Sequence, residues 1–155
     1  MVPNCNNCGA PMRTSDGGVL VCGHCGSTEE RAAVLYDLEV VGEGSAPCPH
    51  CALTLTEARI EGCPVQYCSS CDGVLVEMKH FEVLSEAVRA REPRAGIALP
   101  RQQRPGERVL SCPICGLPML NHVYAGPGNF VLDTCERCLV NWLDPGELSR
   151  IARAP

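Results

Sequence analysis

Cys112-Pro113-Ile114-Cys115-Gly116 … Cys135-Glu136-Arg137-Cys138 is the stretch that decides the fold. Two residues between a pair of cysteines let one tight turn present both sulfurs to one ion, and two such turns brought together by a hairpin complete a tetrahedron. Between the pairs, Met119 to Tyr124 and Phe130-Val131-Leu132 lie either side of Gly126-Pro127-Gly128, which reads as strand, turn, strand. The arrangement occurs twice more, as Cys48/Cys51 with Cys68/Cys71 and as Cys5/Cys8 with Cys22/Cys25, the paired turns being 13, 16 and 19 residues apart in chain order. A repeat of this kind sets the architecture before any local propensity does. The sequence therefore predicts a small, β-rich, metal-stabilised chain of three tandem zinc ribbons, each an antiparallel hairpin with a four-cysteine site.

Hairpin signals recur in the other two units. Asp16-Gly17-Gly18 separates Pro11–Thr14 from Val19-Leu20-Val21, and Leu53, Leu55 and Ile60 precede the alternating Val65-Gln66-Tyr67. Two helices are expected. Phe81, Leu84 and Val88 recur at helical spacing between about Met78 and Arg91, ahead of Pro93. After the third unit, Asp144-Pro145-Gly146-Glu147 supplies a cap, a proline for the first turn and a carboxylate at the third position, followed by Leu148 and Ile151. Residues 28–41 fit a helix through Val34, Leu35, Leu38 and Val41, while Leu38-Glu39-Val40 equally fits a strand. The stretch 92–110, with Arg94, Arg101, Arg104, Arg108 and three prolines, reads as a linker. The expected divisions are 1–41 for the first ribbon and its following segment, 42–91 for the second ribbon and its helix, 92–110 for the linker, and 111–155 for the third ribbon and its helix. The second and third units are expected to pack as a pseudo-repeat pair.

Composition agrees with metal in place of a large core. Only 6 of 155 residues are aromatic, whereas 13 are cysteine. There is no run of 18 apolar residues, and Met1–Cys5 has neither a basic nor an apolar leader segment, so the reading is a cytoplasmic chain without a membrane span. An odd cysteine count in such a chain favours thiolates on metal over disulfides. Zinc is the expected ion, three in all, because a closed four-thiolate site suits it without further ligands. Loading three divalent ions on twelve thiolates takes the net charge from −5 to about −11. That acidity disfavours unassisted binding to nucleic acid; a protein is the expected partner, and no small-molecule substrate is evident.

The third unit, with its tail Leu139-Val140-Asn141-Trp142-Leu143-Asp144-Pro145-Gly146-Glu147-Leu148, resembles the bacterial zinc-ribbon family of the transcription factor IIB zinc-finger type. The second, Cys48-Pro49-His50-Cys51 … Cys68-Ser69-Ser70-Cys71-Asp72-Gly73-Val74-Leu75-Val76-Glu77-Met78-Lys79-His80-Phe81, is similar to it. The two resemblances cover about 48–90 and 110–152. They depart from the family at Val140 and Asn141 in the third unit, and in the second at Leu75 for Trp, Glu77 for Asp and His80 for Glu, which weakens the second helix cap. The first unit resembles a generic short zinc ribbon. The resemblance implies a zinc-binding, non-enzymatic interaction module, with transcription suggested by the family name.

Competing chemistries are weaker. Cys22-Gly23-His24-Cys25 coincides with the tetrapeptide of disulfide isomerases, but that chemistry needs the first cysteine at a helix N-terminus, and here the pair follows a predicted strand and has a matching pair in Cys5/Cys8. An iron-tetrathiolate electron carrier of the rubredoxin type suits Cys112–Gly116 locally, and a thiol redox switch would require one ribbon to release its ion. Cys63 is read as a small apolar residue of a hairpin, the four histidines as turn or surface residues, and Trp142 as packing over the third ribbon. No catalytic residues are evident.

Overall fold

The computed structural model describes residues 4–5, 7–14, 19–30, 37–91, 109–124 and 130–153. Residues 92–108 of the linker expected at 92–110, and the glycine turns expected at 16–18 and 126–128, lie outside the described residues, while Leu110 at the linker's end is buried in the cluster that holds the cysteines of the second and third units. Met12–Thr14 (β1), Val19–Cys22 (β2) and Thr28–Glu30 (β3) form a three-stranded antiparallel sheet around Cys5, Met12, Leu20 and Cys22. Of the ambiguous stretch 28–41, both described ends are strand. Leu38–Pro47 (β4) runs through position 41, where its register against the next strand shifts between Val40 and Gly42.

β4 is the edge of a larger sheet that continues through Thr54–Ile60 (β5), Cys63–Tyr67 (β6) and Val74–Glu77 (β7). The third unit supplies Leu120–Val123 (β8), Val131–Cys135 (β9) and Val140–Leu143 (β10), and the order is β4-β5-β6-β7-β10-β9-β8. β5 and β6 are joined by Glu61-Gly62, both at positive φ (49° and 79°), as a two-residue turn between right-twisted strands requires. Ile60 and Cys63 close that turn as a cross-strand pair.

The second and third units thus share one sheet, joined by antiparallel pairing of β7 with β10 in the register Val74↔Leu143, Leu75↔Trp142, Val76↔Asn141 and Glu77↔Val140. Cys68 and Cys135 are 67 positions apart. Applying that shift to the seam exchanges its two strands and maps the Leu75–Trp142 pair onto itself. A pseudo-twofold axis therefore passes through this pair.

Side-chain alternation along the strands sorts the interior into two layers. Val74, Val76 and Leu143 face two helices, Met78–Arg91 (α1) and Glu147–Arg153 (α2), which contribute Phe81, Leu84, Val88, Leu148 and Ile151. Tyr124 joins them, edge-on to Phe81 at 5.3 Å between centroids and 5.1 Å from Phe130. Leu75, Val140 and Trp142 face the opposite layer, among the cysteines of both units. α1 occupies the span its periodicity implies. α2 begins where Glu147 Oε2 accepts the Asp144 amide at 2.8 Å, the reciprocal half of a capping box. Among the described residues, no helix is long and apolar enough to cross a membrane.

Trp142 is fully buried and does more than cover its own unit. Its ring crosses the seam onto Gly73 and lies 6.0 Å from the His50 ring, both in the second unit. Any Cβ at Gly73 would overlap the indole. Gly73→Ala is therefore expected to cost about 1–3 kcal/mol, the usual range for an overpacked core. Gly42→Ala, where an added Cβ meets nothing, should stay within about 0.5 kcal/mol. Denaturant unfolding of the two variants measures the difference.

Candidate metal centres

Three groups of four sulfurs converge: Cys5, Cys8, Cys22 and Cys25; Cys48, Cys51, Cys68 and Cys71; and Cys112, Cys115, Cys135 and Cys138. Within each group all Sγ atoms lie within 4.8 Å of one another. Sulfur separations include 3.4 Å for Cys8–Cys22, 3.6 Å for Cys5–Cys25, and 3.7 Å for both Cys48–Cys71 and Cys115–Cys135. A tetrahedral ion with bonds of about 2.3 Å to sulfur sets its ligands about 3.8 Å apart, and a disulfide would need about 2.05 Å. The donor sets fit a metal ion and are not disulfides. These are the twelve cysteines that the spacing singles out.

Five of the six pairs sit on a tight turn closed by the same two backbone bonds. At Cys112, its amide donates to the Leu117 carbonyl at 2.8 Å and the Gly116 amide donates back to the Cys112 carbonyl at 2.9 Å. The pattern repeats at Cys5, Cys22, Cys48 and Cys68. The residue after the second cysteine lies in the left-handed region in all six turns: Gly9, Gly26, Ala52, Asp72, Gly116 and Leu139 have φ between 55° and 75°. Glycine at three of these positions was a readable sign of it; Ala52, Asp72 and Leu139 gave none. The turns also aim amides at sulfur, as in the 3.4 Å contacts of the His50 and Cys51 amides with Cys48 Sγ and of the Ile114 amide with Cys112 Sγ. Such donors favour thiolate over thiol.

Without a cation, four close thiols cannot all ionise, and the groups divide accordingly. The Ser27 hydroxyl and amide hold the Cys25 thiol down to about 5, and the Leu117 amide holds Cys115 down to about 7. Burial and the neighbouring Cys115 sulfur push Cys138 up to about 12. Burial likewise raises Cys71. A divalent ion removes this conflict and expels the remaining protons.

Comparison with family models, with curated proteins and with solved structures gave no match. The centres therefore rest on their own geometry.

The other singled-out residues fall outside the sulfur groups. Cys63 is buried under the helices with Ala58, Ile60 and Val65, and burial raises its thiol pKa. His24 and His122 are exposed. His50 has a role that the sequence did not disclose: its Nε2 lies 2.6 Å from Asp144 Oδ1, which also accepts the Trp142 indole N–H at 3.0 Å. The turn bearing two sulfurs of the second group is tied through Asp144 to the helix cap of the third unit. Each half of that contact looks like an ordinary turn or cap residue in sequence, and only the seam brings them together.

The three groups differ in protection. The second and third share one apolar cluster at the seam, whereas among the described residues the first packs in a smaller cluster of Cys5, Met12, Leu20 and Cys22, with Ala10 and Cys25 alongside, and Cys8 is exposed. A metal chelator added to the loaded chain is expected to take one ion about tenfold faster than the other two. In Cys8→Ser that fast equivalent should be missing; three ions leaving at one rate would contradict the difference.

Proposed function

We propose that the chain is a zinc-binding, non-enzymatic interaction module built of three zinc ribbons. The observation that carries this reading is that each sulfur group is complete. Four thiolates fill a tetrahedron and leave no position for water or substrate, as structural zinc sites do and catalytic ones do not. A d¹⁰ ion tolerates this all-sulfur geometry and adds no redox chemistry. The resemblance of the second and third units to bacterial zinc ribbons of the transcription factor IIB type supports the same reading, since Trp142, Asp144 and Glu147, which carry it, are the residues that join the seam and cap α2. Thiolates held this way belong in a reducing compartment, and the cytoplasm is the proposed location.

Exposed apolar residues support the interaction role. Val40 and Val41 lie on one edge strand of the large sheet and Leu120 and Val123 on the other. A protein is the partner class that fits such edges on an acidic chain. An adaptor within a transcription assembly is the specific form the family resemblance suggests.

Elemental analysis of protein purified without added metal or a metal-binding tag tests the reading. About three zinc ions per chain in a colourless sample are expected. Cys138→Ser should lose one equivalent and unfold the third unit, while Cys63→Ser keeps all three. Iron in a coloured sample would favour electron transfer instead, and metal-free chain with oxidised cysteines would favour a redox switch.

A further inference from the structure

The pseudo-twofold axis relates two spaces, and the chain fills only one. On one side Trp142 lies over Gly73 beside Cys71, reaching His50, with its N–H on Asp144 and with Glu147 behind it. The 67-position shift carries Leu75 to Trp142, Glu77 to Asp144, His80 to Glu147, Gly73 to Val140 and Cys71 to Cys138, and Ile114 holds in its turn the place that His50 holds. Leu75, Glu77, His80, Ile114, Cys138 and Val140 all line a cavity of about 380 Å³. This lies at the small end of the range for ligand pockets, roughly 300–1,000 Å³. It opens where a second indole would sit, because the seam residue there is Leu75.

The cavity carries both paired and unspent polar groups: the Glu77 carboxylate takes Lys79 Nζ at 2.8 Å through Oε2. Among the described residues, two buried side-chain polar atoms have no hydrogen-bond partner, Gln66 Oε1 and His80 Nδ1, and both residues line this cavity. His80 Nδ1 is 3.9 Å from the Glu77 carboxylate, too far for a hydrogen bond. Buried acceptors left unpaired are costly, and an entering donor relieves them. The rim carries Val41 and Ile114, both more than half exposed.

We propose that this cavity binds a tryptophan side chain presented by a partner polypeptide, its ring lying over Leu75 and Val140 and its N–H directed to the Glu77 carboxylate. The internal relation specifies the ligand. The same fold already holds an indole in the related space, with its N–H on the related carboxylate. A second copy of this chain cannot supply the ring, since Trp142 is its sole tryptophan and is fully buried. The proposal deepens the interaction-module reading and rests on it for the partner, but the cavity is testable without one.

The test is a titration of the isotope-labelled, zinc-loaded full chain with N-acetyl-tryptophanamide, followed by backbone amide shifts, with N-acetyl-leucinamide as control. Saturable shifts at Leu75, Glu77, Ile114 and Val140 are expected, with the leucine amide about tenfold weaker or worse. The double variant Leu75→Trp/Val140→Gly supplies the missing indole and its clearance from within, and should abolish probe binding. Should that variant not fold, Glu77→Ala, at a largely exposed carboxylate, is expected to weaken the probe about tenfold. Absence of saturable shifts, equal response to the leucine amide, or full binding by the variants overturns the proposal, as does a cavity that retains only water. A failed titration with three zinc ions bound removes the cavity and leaves the interaction reading standing; loss of the zinc itself removes that reading first.

Discussion

Four sulfurs must converge within 4.8 Å of one another three times over, and the rest of the molecule is arranged around that requirement. Like-charged thiolates repel at such distances unless a cation joins them. The chain accepts left-handed backbone at Ala52, Asp72 and Leu139 to bring the sulfurs together, a conformation costing non-glycine residues roughly 1–2 kcal/mol each. A bound ion of the proposed kind would offset such strain, since structural zinc supplies on the order of 10–16 kcal/mol in small domains. With so few aromatic residues, the hydrophobic layers alone are thin.

The second constraint is the seam. β7 and β10 pair at the join, and Val74 to Val76 and Val140 to Leu143 are buried on both faces, between the helix layer and the cysteine layer. Five aromatic residues gather near this join: Trp142 on the sulfur side, and Tyr67, Phe81, Tyr124 and Phe130 on the helix side. Asp144 adds a polar fastening, holding His50 and Trp142 on one oxygen while its amide is capped by Glu147. The two halves differ about their axis. One half is packed with indole and closed by a full capping box, while the other has Leu75, a histidine in place of the capping carboxylate, and an open cavity.

Much of this was legible in the sequence. The Cys-x2-Cys spacing named all twelve clustered sulfurs, because two-residue separation leaves the turn little freedom, and Asp144 with Glu147 marked α2 because a capping box is a local device. α1 was readable from Phe81, Leu84 and Val88 for the same reason: its period is written within a few turns. What escaped was non-local. The pairing of Leu75 with Trp142 joins residues separated by the whole linker, and nothing near either one specifies an edge-to-edge partner. His50 looked like a spare turn residue for that reason, and Trp142 like a cover for its own unit. The continuity of β4 across residue 41 was hidden because its outward residues give no clean alternation.

X-ray absorption at the metal edge tests the central claim most directly. The account predicts zinc with a single shell of four sulfurs at about 2.3 Å, in the intact chain and without reconstitution. A nitrogen or oxygen shell at about 2.0–2.1 Å, or sulfur K-edge evidence of disulfide in a metal-free chain, would contradict it.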